Sequence, residues 1–297
     1  MIYTLTLNPA VDYVVRLPEL REGETNRASS ASIRFGGKGI NVSLVLRELG
    51  VESTALGFIG GFTGIALADH LAALGIPSDF IFLPDGMTRI NIKLNTAADE
   101  TEINAPGPRI PSDALQALSE KLCGATSTDT VILAGSVPPT LPVDLYARIM
   151  ARAGASSTRF VVDAEGESLR STLPFHPYLI KPNRTELESL IGEPLSTEDA
   201  LRDAARSLQC AGARNVLVSL GEQGALLLDE EGCFHRAAAF SIRPVSTVGA
   251  GDSMVAGFLA GAARGYEYAL KLGIAAGSAT AETEGLASRK AILRYMA

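Results

Sequence analysis

Few residues of this 297-residue sequence are of the kinds that build metal clusters or disulfide frameworks. There are three histidines and three cysteines, and neither set shows the close spacing of a metal site or a C-x-x-C motif. The cysteines, Cys123, Cys210 and Cys233, are odd in number and far apart, which predicts reduced thiols in a cytoplasmic protein. We therefore expect neither a structural metal site nor a disulfide scaffold.

Long apolar runs and an excess of positive charge are also missing. Charged residues, glycine or proline interrupt every apolar run before the roughly 20 residues that a membrane helix needs, so we expect no membrane segment. Lysine and arginine number 26 against 33 aspartates and glutamates, and the net charge of −7 argues against a nucleic-acid-binding protein. An anionic substrate would need a local pocket of cations. The first residues, MIYTLTLNPAVD, carry no basic leader and alternate as a strand does, so we expect them to belong to the mature fold.

Two nucleotide-binding motifs are absent as well. The sequence has no G-x-x-x-x-G-K-[ST] motif, which excludes a Walker-type nucleoside triphosphatase. The glycine-rich GFIGGFTG at 57–64 prompts a dinucleotide-dependent oxidoreductase as a rival interpretation. It lacks both the G-x-G-x-x-G register and an acidic residue about 20 positions later, so we set this rival aside.

What is present is the composition and pattern of a globular α/β protein. Hydrophobic residues make up 46% and charged residues 20%, as in ordinary soluble enzymes. Beyond residue 51, short β-rich runs alternate with segments of helical period, which is typical of parallel strands joined by crossover helices. The predicted strands are 54–59, 130–134, 160–163, 178–181 and 215–220, and the predicted helices are 64–74, 112–122, 143–153, 184–191 and 197–210. The pattern predicts a doubly wound αβα sandwich.

Two regions, at about 11–35 and 80–104, break this alternation. In both, strand-like residues alternate with polar ones and no helix intervenes. They predict a small antiparallel β lid over the carboxyl ends of the main strands. Because there is no internal repeat and no linker rich in proline and serine, we expect residues 1–297 to form one domain that carries this lid.

Two glycine-rich segments precede predicted helices. GGKGIN, at 36–41, would let the backbone approach a ligand closely, with Lys38 and a helix N-terminus favouring an anion or polarised hydroxyls, or it is simply a strand-to-helix turn. TVGAGD, at 247–252, opens a predicted helix over 253–263, and its three N–H groups at 249–251 could form an anion hole beside Asp252. Alternatively, Asp252 only caps the helix. A carboxylate at a helix N-terminus is expected to have a low pKa, which makes it a weak proton acceptor. The loose transition state of phosphoryl transfer tolerates a weak acceptor, because the proton is taken up late.

Two further segments follow predicted strands. In KPNRTE, at 181–186, Asn183 and Glu186 lie one helical turn apart, so they could hold Mg²⁺ directly or through water, or form a helix capping box. VSLGEQGA, at 218–225, is a buried strand that enters a glycine-rich turn, and alone it predicts only a hairpin.

Together these segments resemble the ribokinase-like sugar kinases of the phosphofructokinase B family. GGKGINVS resembles the family's first signature and TVGAGDSMVAGFLAG its second, while NPAVD, GSVPP, KPNRTE and SLGEQG occur in the family's order and spacing. The resemblance extends over essentially the whole chain. TRINIK at 88–93 and TEIN at 101–104 are most similar to the bacterial 1-phosphofructokinases and their tagatose-6-phosphate kinase relatives. The resemblance therefore implies a ribokinase-like fold, ATP and Mg²⁺ as cofactors, and a sugar-phosphate substrate.

The resemblance also implies a role for each matching position. Asp252 would be the catalytic base, and the anion hole would be Gly249, Ala250 and Gly251. The implied substrate-binding residues are Asp12, Gly37 and Asn41 for hydroxyls and Arg27, Lys38 and Arg89 for the acceptor's phosphate. The implied nucleotide and metal residues are Asn183, Glu186, Ser219, Gly221 and Gly224. Lid strands of such kinases often pair between subunits, which implies a homodimer.

One departure from the family pattern concerns the segment after the strand at 160–163. Asp163-Ala164-Glu165-Gly166 stands where relatives commonly have Asp-Thr/Ser-Ser-Gly. The new carboxylate, Glu165, is unfavourable near an anionic site unless it faces solvent or a cation, so the role of Asp163 as a site residue stays open.

The resemblance implies ATP-dependent phosphorylation of fructose 1-phosphate to fructose 1,6-bisphosphate. Tagatose 6-phosphate and fructose 6-phosphate are the alternative acceptors, and a non-catalytic sugar-phosphate sensor is the alternative outside enzymology.

Overall fold

The computed structural model describes residues 1–97, 99–153 and 158–297. The strands are β1 Ile2–Thr6, β2 Ala10–Arg16, β3 Ser30–Gly36, β4 Thr54–Gly60, β5 Ile81–Leu83, β6 Arg89–Asn95, β7 Glu100–Ile103, β8 Thr130–Ala134, β9 Arg159–Asp163, β10 Leu179–Ile180, β11 Asn215–Ser219, β12 Ala225–Leu228 and β13 Phe234–Ala237. The helices are α1 Lys38–Glu48, α2 Gly61–Ala73, α3 Ser112–Cys123, α4 Leu145–Ala153, α5 Gly166–Arg170, α6 Arg184–Ile191, α7 Glu198–Cys210, α8 Ala250–Gly261, α9 Tyr266–Ala281 and α10 Arg289–Leu293. In the described part of the chain, no helix is long and apolar enough to cross a membrane.

Nine strands form a main sheet in the order β13-β12-β11-β10-β9-β8-β1-β4-β5. The pairs from β11 to β5 are parallel, and β12 and β13 add an antiparallel edge. From β1 the chain builds outward to β4 and β5, and it then returns to place β8 on the other side of β1. Ligands of such sheets bind in the crevice outside the carboxyl ends of the strands at this switch point.

Helices cover both faces of the main sheet, as the predicted sandwich requires. Alternate residues of one strand face opposite layers: Leu133 of β8 packs with α3 to α7, whereas Ile132 packs with α1 and α8 to α10. Helix α2 packs with α1 around Leu67. This two-sided burial explains why the strands are nearly continuous apolar runs, and the predicted fold class is confirmed.

The five predicted strands and five predicted helices beyond residue 51 are present, with end shifts of up to three residues. Helix α9 was missed because its sequence, YEYALKLGIAAGSATA, is small and apolar on nearly every side and buried almost throughout, so it shows no one-sided period. Helix α8 begins at Ala250, three residues before the predicted start. The hairpin prediction at 218–225 is confirmed by the antiparallel pairing of β11 with β12.

Four strands form the small sheet, in the order β3-β2-β6-β7. The second predicted lid region, 80–104, divides in two: Ile81–Leu83 pairs with β4 as the edge of the main sheet, and only Arg89–Ile103 enters the small sheet. The outer pairs are antiparallel, but the central pair β2–β6 is parallel. Both strands leave the same edge of the main sheet, β2 after β1 and β6 after β5, so they run in the same direction.

The two faces of the small sheet differ in polarity because side chains alternate along each strand. One face carries Asp12, Arg89, Asn91 and Lys93, which line a cavity between this sheet and the main one. The other face is apolar and open, with Tyr13, Ile33 and Ile103 exposed by 41%, 59% and 54%.

An ion-pair cluster joins the small sheet to the rest of the protein. Glu284, in the loop between α9 and α10, pairs with Arg16 of β2, and its second carboxylate oxygen lies 3.9 Å from an amino group of Arg34 on β3. The sheet is therefore attached by its chain connections at one end and by Glu284 near the other.

Candidate active site

A large cavity of about 1100 Å³ lies at the carboxyl ends of the parallel strands, beneath the small sheet. It brings together nearly all of the residues that the sequence singled out. The predicted site residues that line it are Asp12, Gly37, Lys38, Asn41, Arg89, Asn183, Glu186, Ser219, Gly221, Gly224, Gly249, Ala250, Gly251 and Asp252. Arg27 is not among the lining residues, because it lies exposed in the loop between β2 and β3.

Asp252 is held in the cavity wall by Asn41. The cap of α8 is Gly249, so Asp252 is the third residue of the helix and not its cap. Its side chain is 5% exposed, and one carboxylate oxygen accepts a hydrogen bond of 2.7 Å from the Asn41 amide. The first helical turn of α1 thus orients the carboxylate at the start of α8.

Burial raises the pKa of Asp252 to about 6, and the Asp163 carboxylate adds to the rise, while Asn41, Lys38 and Lys181 act in the opposite direction. The expectation of a low pKa at the helix N-terminus is therefore wrong. Loss of hydration and a neighbouring like charge outweigh the helix dipole here. A carboxylate with such a pKa is a better proton acceptor than an exposed aspartate.

The glycines before Asp252 are required by the backbone and by close neighbours. Gly249 has a φ of +79°, and a Cβ there would lie 2.7 Å from a methyl group of Leu286. A Cβ on Gly251 would lie 3.1 Å from the Lys181 ammonium. Amide groups of a first helical turn have no partner within the helix, although that of Ala250 donates to the Thr247 carbonyl at 3.2 Å. The segment thus offers Gly249 and Gly251 directly as anion-binding donors, and Ala250 if its bond to Thr247 opens.

Two lysines converge on the buried carboxylate of Asp163, close to Asp252. The Lys38 and Lys181 ammonium groups lie 3.3 and 3.4 Å from the same Asp163 oxygen, Oδ1, and Asp163 is only 1% exposed. Its other oxygen, Oδ2, has no hydrogen-bond partner in the described structure. Burial lowers the pKa of Lys38, but Asp163, Asp252 and Glu186 raise it by more, so Lys38 stays charged.

This cluster separates the three cations that were predicted to bind the acceptor's phosphate together. Lys38 lies at the Asp252 end, Arg27 lies outside the cavity lining, and Arg89 interacts with Asp12 on the small sheet. The sequence could not reveal this separation, because it depends on which way side chains leave a turn. Glu165 is exposed at the start of α5 and does not line the cavity, which removes the expected clash of a new carboxylate with an anion.

The far end of the cavity is formed by the starts of α6 and the β11–β12 turn. Asn183 and Glu186 form a reciprocal capping box, with both hydrogen bonds at 2.8 Å. Gly221, with a φ of +57°, has open space where a Cβ would be, and a Cβ on Gly224 would lie 2.1 Å from a carbonyl oxygen. The open space at Gly221 lets a planar or phosphorylated ligand approach this backbone closely, whereas Gly224 is required by the close approach of the β13 backbone.

The cavity fits a nucleoside triphosphate with its metal ion. The unpaired Asp163 oxygen and two lysines would meet the phosphates and the hydrated metal. The capping box uses one oxygen of Glu186, which leaves the other for a metal-bound water. In the described residues, no three histidine, cysteine, aspartate or glutamate side chains are grouped so that they could hold a metal ion. Mg²⁺ usually keeps several waters and is bound by one or two carboxylates and the substrate's phosphates.

Several lining residues were not predicted from the sequence. Asp163 ends β9 and Lys181 directly follows the neighbouring strand β10, so the sheet order would have predicted their proximity. Asn91 donates to Asp12 at 2.9 Å, and Lys93 lies two residues further along the same face of β6. Alternation within TRINIK is the signal that could have identified both.

Comparisons with known proteins find relatives over nearly the whole chain. The sequence profile of the pfkB family carbohydrate kinases matches residues 2–291. The chain is 42% identical to a 1-phosphofructokinase of Borreliella burgdorferi, over 95% of this chain and 92% of that protein. It is 36% identical to a D-tagatose-1-phosphate kinase of Bacillus licheniformis, over 96% and 94%. The structure of Escherichia coli phosphofructokinase-2 in complex with substrates and products superimposes with a TM-score of 0.93, at 32% identity and over 99% and 98% of the two chains.

Proposed function

The chain belongs to the pfkB family of carbohydrate kinases, and from this premise we propose that it transfers the γ-phosphoryl group of ATP to fructose 1-phosphate, giving fructose 1,6-bisphosphate. The observation that carries the proposal is Asp252. It is a buried carboxylate of raised pKa, oriented by Asn41 at the glycine-rich start of α8. A sugar-phosphate sensor would have no use for such a base, because binding alone requires no proton transfer.

The reaction follows from this arrangement. ATP with Mg²⁺, when bound, supplies the phosphoryl group and neutralises part of its charge. Asp252 accepts the proton of the acceptor hydroxyl, and Asn41 holds the carboxylate in place. The N–H groups at the start of α8 stabilise charge on the transferring group. Lys38 and Lys181, which share Asp163 in this structure, are close enough to compensate the charge that develops there.

Fructose 1-phosphate is the acceptor that the relatives favour, since a 1-phosphofructokinase is 42% identical over nearly the whole chain. Asp12, hydrogen-bonded to Asn91, would bind a hydroxyl, and Arg89 would bind the phosphate. A furanose ketose has a hydroxymethyl group on each side of its ring oxygen, so tagatose 6-phosphate and fructose 6-phosphate are the competing acceptors. The D-tagatose-1-phosphate kinase among the relatives adds tagatose 1-phosphate to the comparison.

The test is a substrate panel with wild-type protein and Arg89→Ala. We expect the highest kcat/KM on fructose 1-phosphate and far less on fructose. Loss of a charged hydrogen-bonding partner costs about 1.5–3 kcal/mol, so Arg89→Ala should lower kcat/KM for sugar phosphates roughly 10- to 150-fold and scarcely affect fructose. A preference for a tagatose phosphate would show that the proposed acceptor is wrong, while the proposed kinase mechanism would stand. Absence of any phosphoryl transfer would favour the sensor.

We also propose a homodimer that pairs through the small sheet. The support is its open apolar face, where Ile33 and Ile103 are more than half exposed. A monomer seldom exposes a contiguous group of large apolar side chains on one face of a sheet. Because the reaction consumes ATP, we place it in the cytoplasm.

A further inference from the structure

The cavity lining contains four lysine and arginine side chains among the described residues: Lys38, Arg89, Lys93 and Lys181. Lys38 and Lys181 are both engaged by Asp163 at the Asp252 end. The two that remain, Arg89 and Lys93, come from one strand, β6, and lie on the same face because they are four residues apart. Arg89 and Lys93 are therefore the lining cations that Asp163 does not engage, and an anionic end of the acceptor at the small sheet would meet them.

Lys93 is placed in an unusual way for a lysine on a lid. Its side chain is only 12% exposed, and its ammonium donates at 2.8 Å to Glu102, which stands directly opposite on β7. Glu102 is 40% exposed, and its other oxygen accepts from Asn104 at 3.4 Å. All three side chains line the cavity.

An ordinary cross-strand ion pair does not account for this arrangement. Such pairs lie on solvated faces and contribute little to stability. Here it is the cation that is nearly buried, where it loses hydration, while its carboxylate partner keeps contact with water. An ammonium has three N–H donors and Glu102 takes one of them, so donors remain for a ligand in the cavity.

We infer that Lys93 is a second binding residue for the anionic end of the acceptor, next to Arg89, and that Glu102 positions it. The inference rests on the proposed function and names the residues that select a phosphorylated sugar over a neutral one. A phosphate monoester carries about −1.5 to −2 charges at neutral pH, more than the single guanidinium of Arg89 can balance. Arg89 itself has a buried Nε without a hydrogen-bond partner in the described structure, so it too has a donor to offer.

Glu102 gives the pair its second property. It compensates the lysine when no anion is bound, which avoids an unpaired charge in a largely buried position. Its own pKa is lowered, chiefly by the hydrogen bond from Lys93, so it remains a carboxylate. A neutral sugar gains little from the charge of Lys93, whereas a phosphate accepts hydrogen bonds from the ammonium donors that Glu102 leaves free.

The decisive variant is Lys93→Met, which removes the charge and keeps the length of the side chain. Its matched control is Lys121→Met, since Lys121 forms a comparable pair with Asp79 at 2.6 Å but lies on α3, outside the cavity lining. We expect Lys93→Met to lower kcat/KM for the best phosphorylated ketose by about 10- to 100-fold, with KM for ATP and activity on fructose unchanged. Lys93→Arg should restore most of the loss, and the control should match wild type.

The positioning role of Glu102 is tested by a double-mutant cycle. Glu102→Ala should lower kcat/KM for the phosphorylated ketose but not for fructose. The double variant Glu102→Ala with Lys93→Met should have the same kcat/KM as Lys93→Met alone. Calorimetric titration with the sugar phosphate, without ATP, should show the same order of affinities. Additive losses would assign Glu102 a role that does not pass through Lys93.

Two outcomes separate this inference from the proposed function. If wild type prefers phosphorylated ketoses but Lys93→Met loses equally on phosphorylated and neutral sugars, Lys93 only supports the lid and the inference is wrong. If wild type itself prefers neutral sugars, the proposed acceptor is wrong and the inference fails with it.

Discussion

At the scale of single residues, the site is governed by two buried carboxylates. Asp163 is compensated by two lysines, whereas Asp252 accepts a hydrogen bond from the neutral Asn41 amide and feels Asp163 as a like charge. The two groups therefore have different environments within one cavity. From this difference we propose separate tasks: Asp163 holds cations, and Asp252 takes up a proton.

The variant Asp252→Asn tests the role of this residue as the base. The amide oxygen that the substitution introduces can still accept the hydrogen bond from Asn41, so the fold and nucleotide affinity should be preserved, while kcat should fall by about 10²-fold or more. Asp199→Asn is the matched control, because Asp199 lies in the first turn of α7 and does not line the cavity. Steady-state kinetics with nucleotide-binding titrations would decide it, and near-normal turnover would remove Asp252 from the mechanism.

The raised pKa of Asp252 predicts two pH effects of opposite sign. Activity requires the ionised form, so kcat/KM should decline as the pH falls through about 6. The folded protein binds the Asp252 proton more tightly than the unfolded chain, in which the pKa is 3.8. Protonated Asp252 therefore stabilises the fold fully below pH 3.8, and this stabilisation is lost as the pH rises through about 6. Asp252→Asn should therefore melt at a higher temperature than wild type at pH 7.5, with the difference shrinking at pH 4.5. If Asp252→Asn changes the melting temperature equally at both pH values, the pKa of Asp252 is not raised in the folded protein.

Sequence reasoning gathered most of this site but not its internal arrangement. Motifs beside glycine and proline mark the ends of strands, which converge at one edge of a parallel sheet, so residues such as Asn41 and Gly249 could be found. Whether Lys38 turns towards Asp163 or towards Arg89 depends on side-chain direction in three dimensions, which no spacing encodes. The roles of the gathered residues stay predictions until the variants above are measured.

At the scale of elements, we propose that the start of α6 combines two tasks, helix capping and metal binding. Its capping box satisfies amide groups of the first turn, and the same Glu186 faces the nucleotide end of the cavity. The two interpretations of KPNRTE that the sequence left open are therefore compatible. What capping requires is an oxygen atom, whereas metal binding requires the negative charge.

Glu186→Gln separates the two tasks. The amide oxygen of glutamine can still accept from the Asn183 N–H, so the thermal stability should change little. Loss of charge should raise the Mg²⁺ concentration needed for half-maximal activity, because hard cations favour carboxylates. Glu198→Gln, in the first turn of α7 and outside the cavity lining, is the control for a lost glutamate. Metal titrations at saturating ATP measure the effect, and an unchanged titration would leave Glu186 as a cap alone.

Element prediction failed where tertiary context decides. Residues 81–83 have the alternation of a lid strand, yet they pair with β4, because the chain that leaves α2 passes the uncovered edge of the main sheet first. Helix α9 is buried almost throughout, so its apolar residues have no preferred side. Both errors arise from packing between elements, which the residue pattern within one element does not show.

At the scale of the whole molecule, the open face of the small sheet predicts the assembly. Ile33→Lys places a charge within the proposed dimer contact and should convert the dimer into a monomer of 31.1 kDa. Val143→Lys is the control, since Val143 is 51% exposed but lies outside the small sheet. Light scattering after gel filtration measures both masses. A wild-type monomer, or a dimer that survives Ile33→Lys, would rule out this interface.

The parallel pairing of β2 with β6 also sets an order of events during synthesis. Asp12 and Asn91, which meet across this pair, are 79 positions apart, so the β2–β3 hairpin emerges and waits while α1, β4, α2 and β5 are made. During that interval the edge of β2 is unpaired and can join another chain. The small sheet is completed only when β6 and β7 arrive, after the β4–β5 edge of the main sheet has been synthesised. Asp252 on α8 is synthesised later still, so binding of a sugar phosphate would report that both parts of the cavity wall have folded.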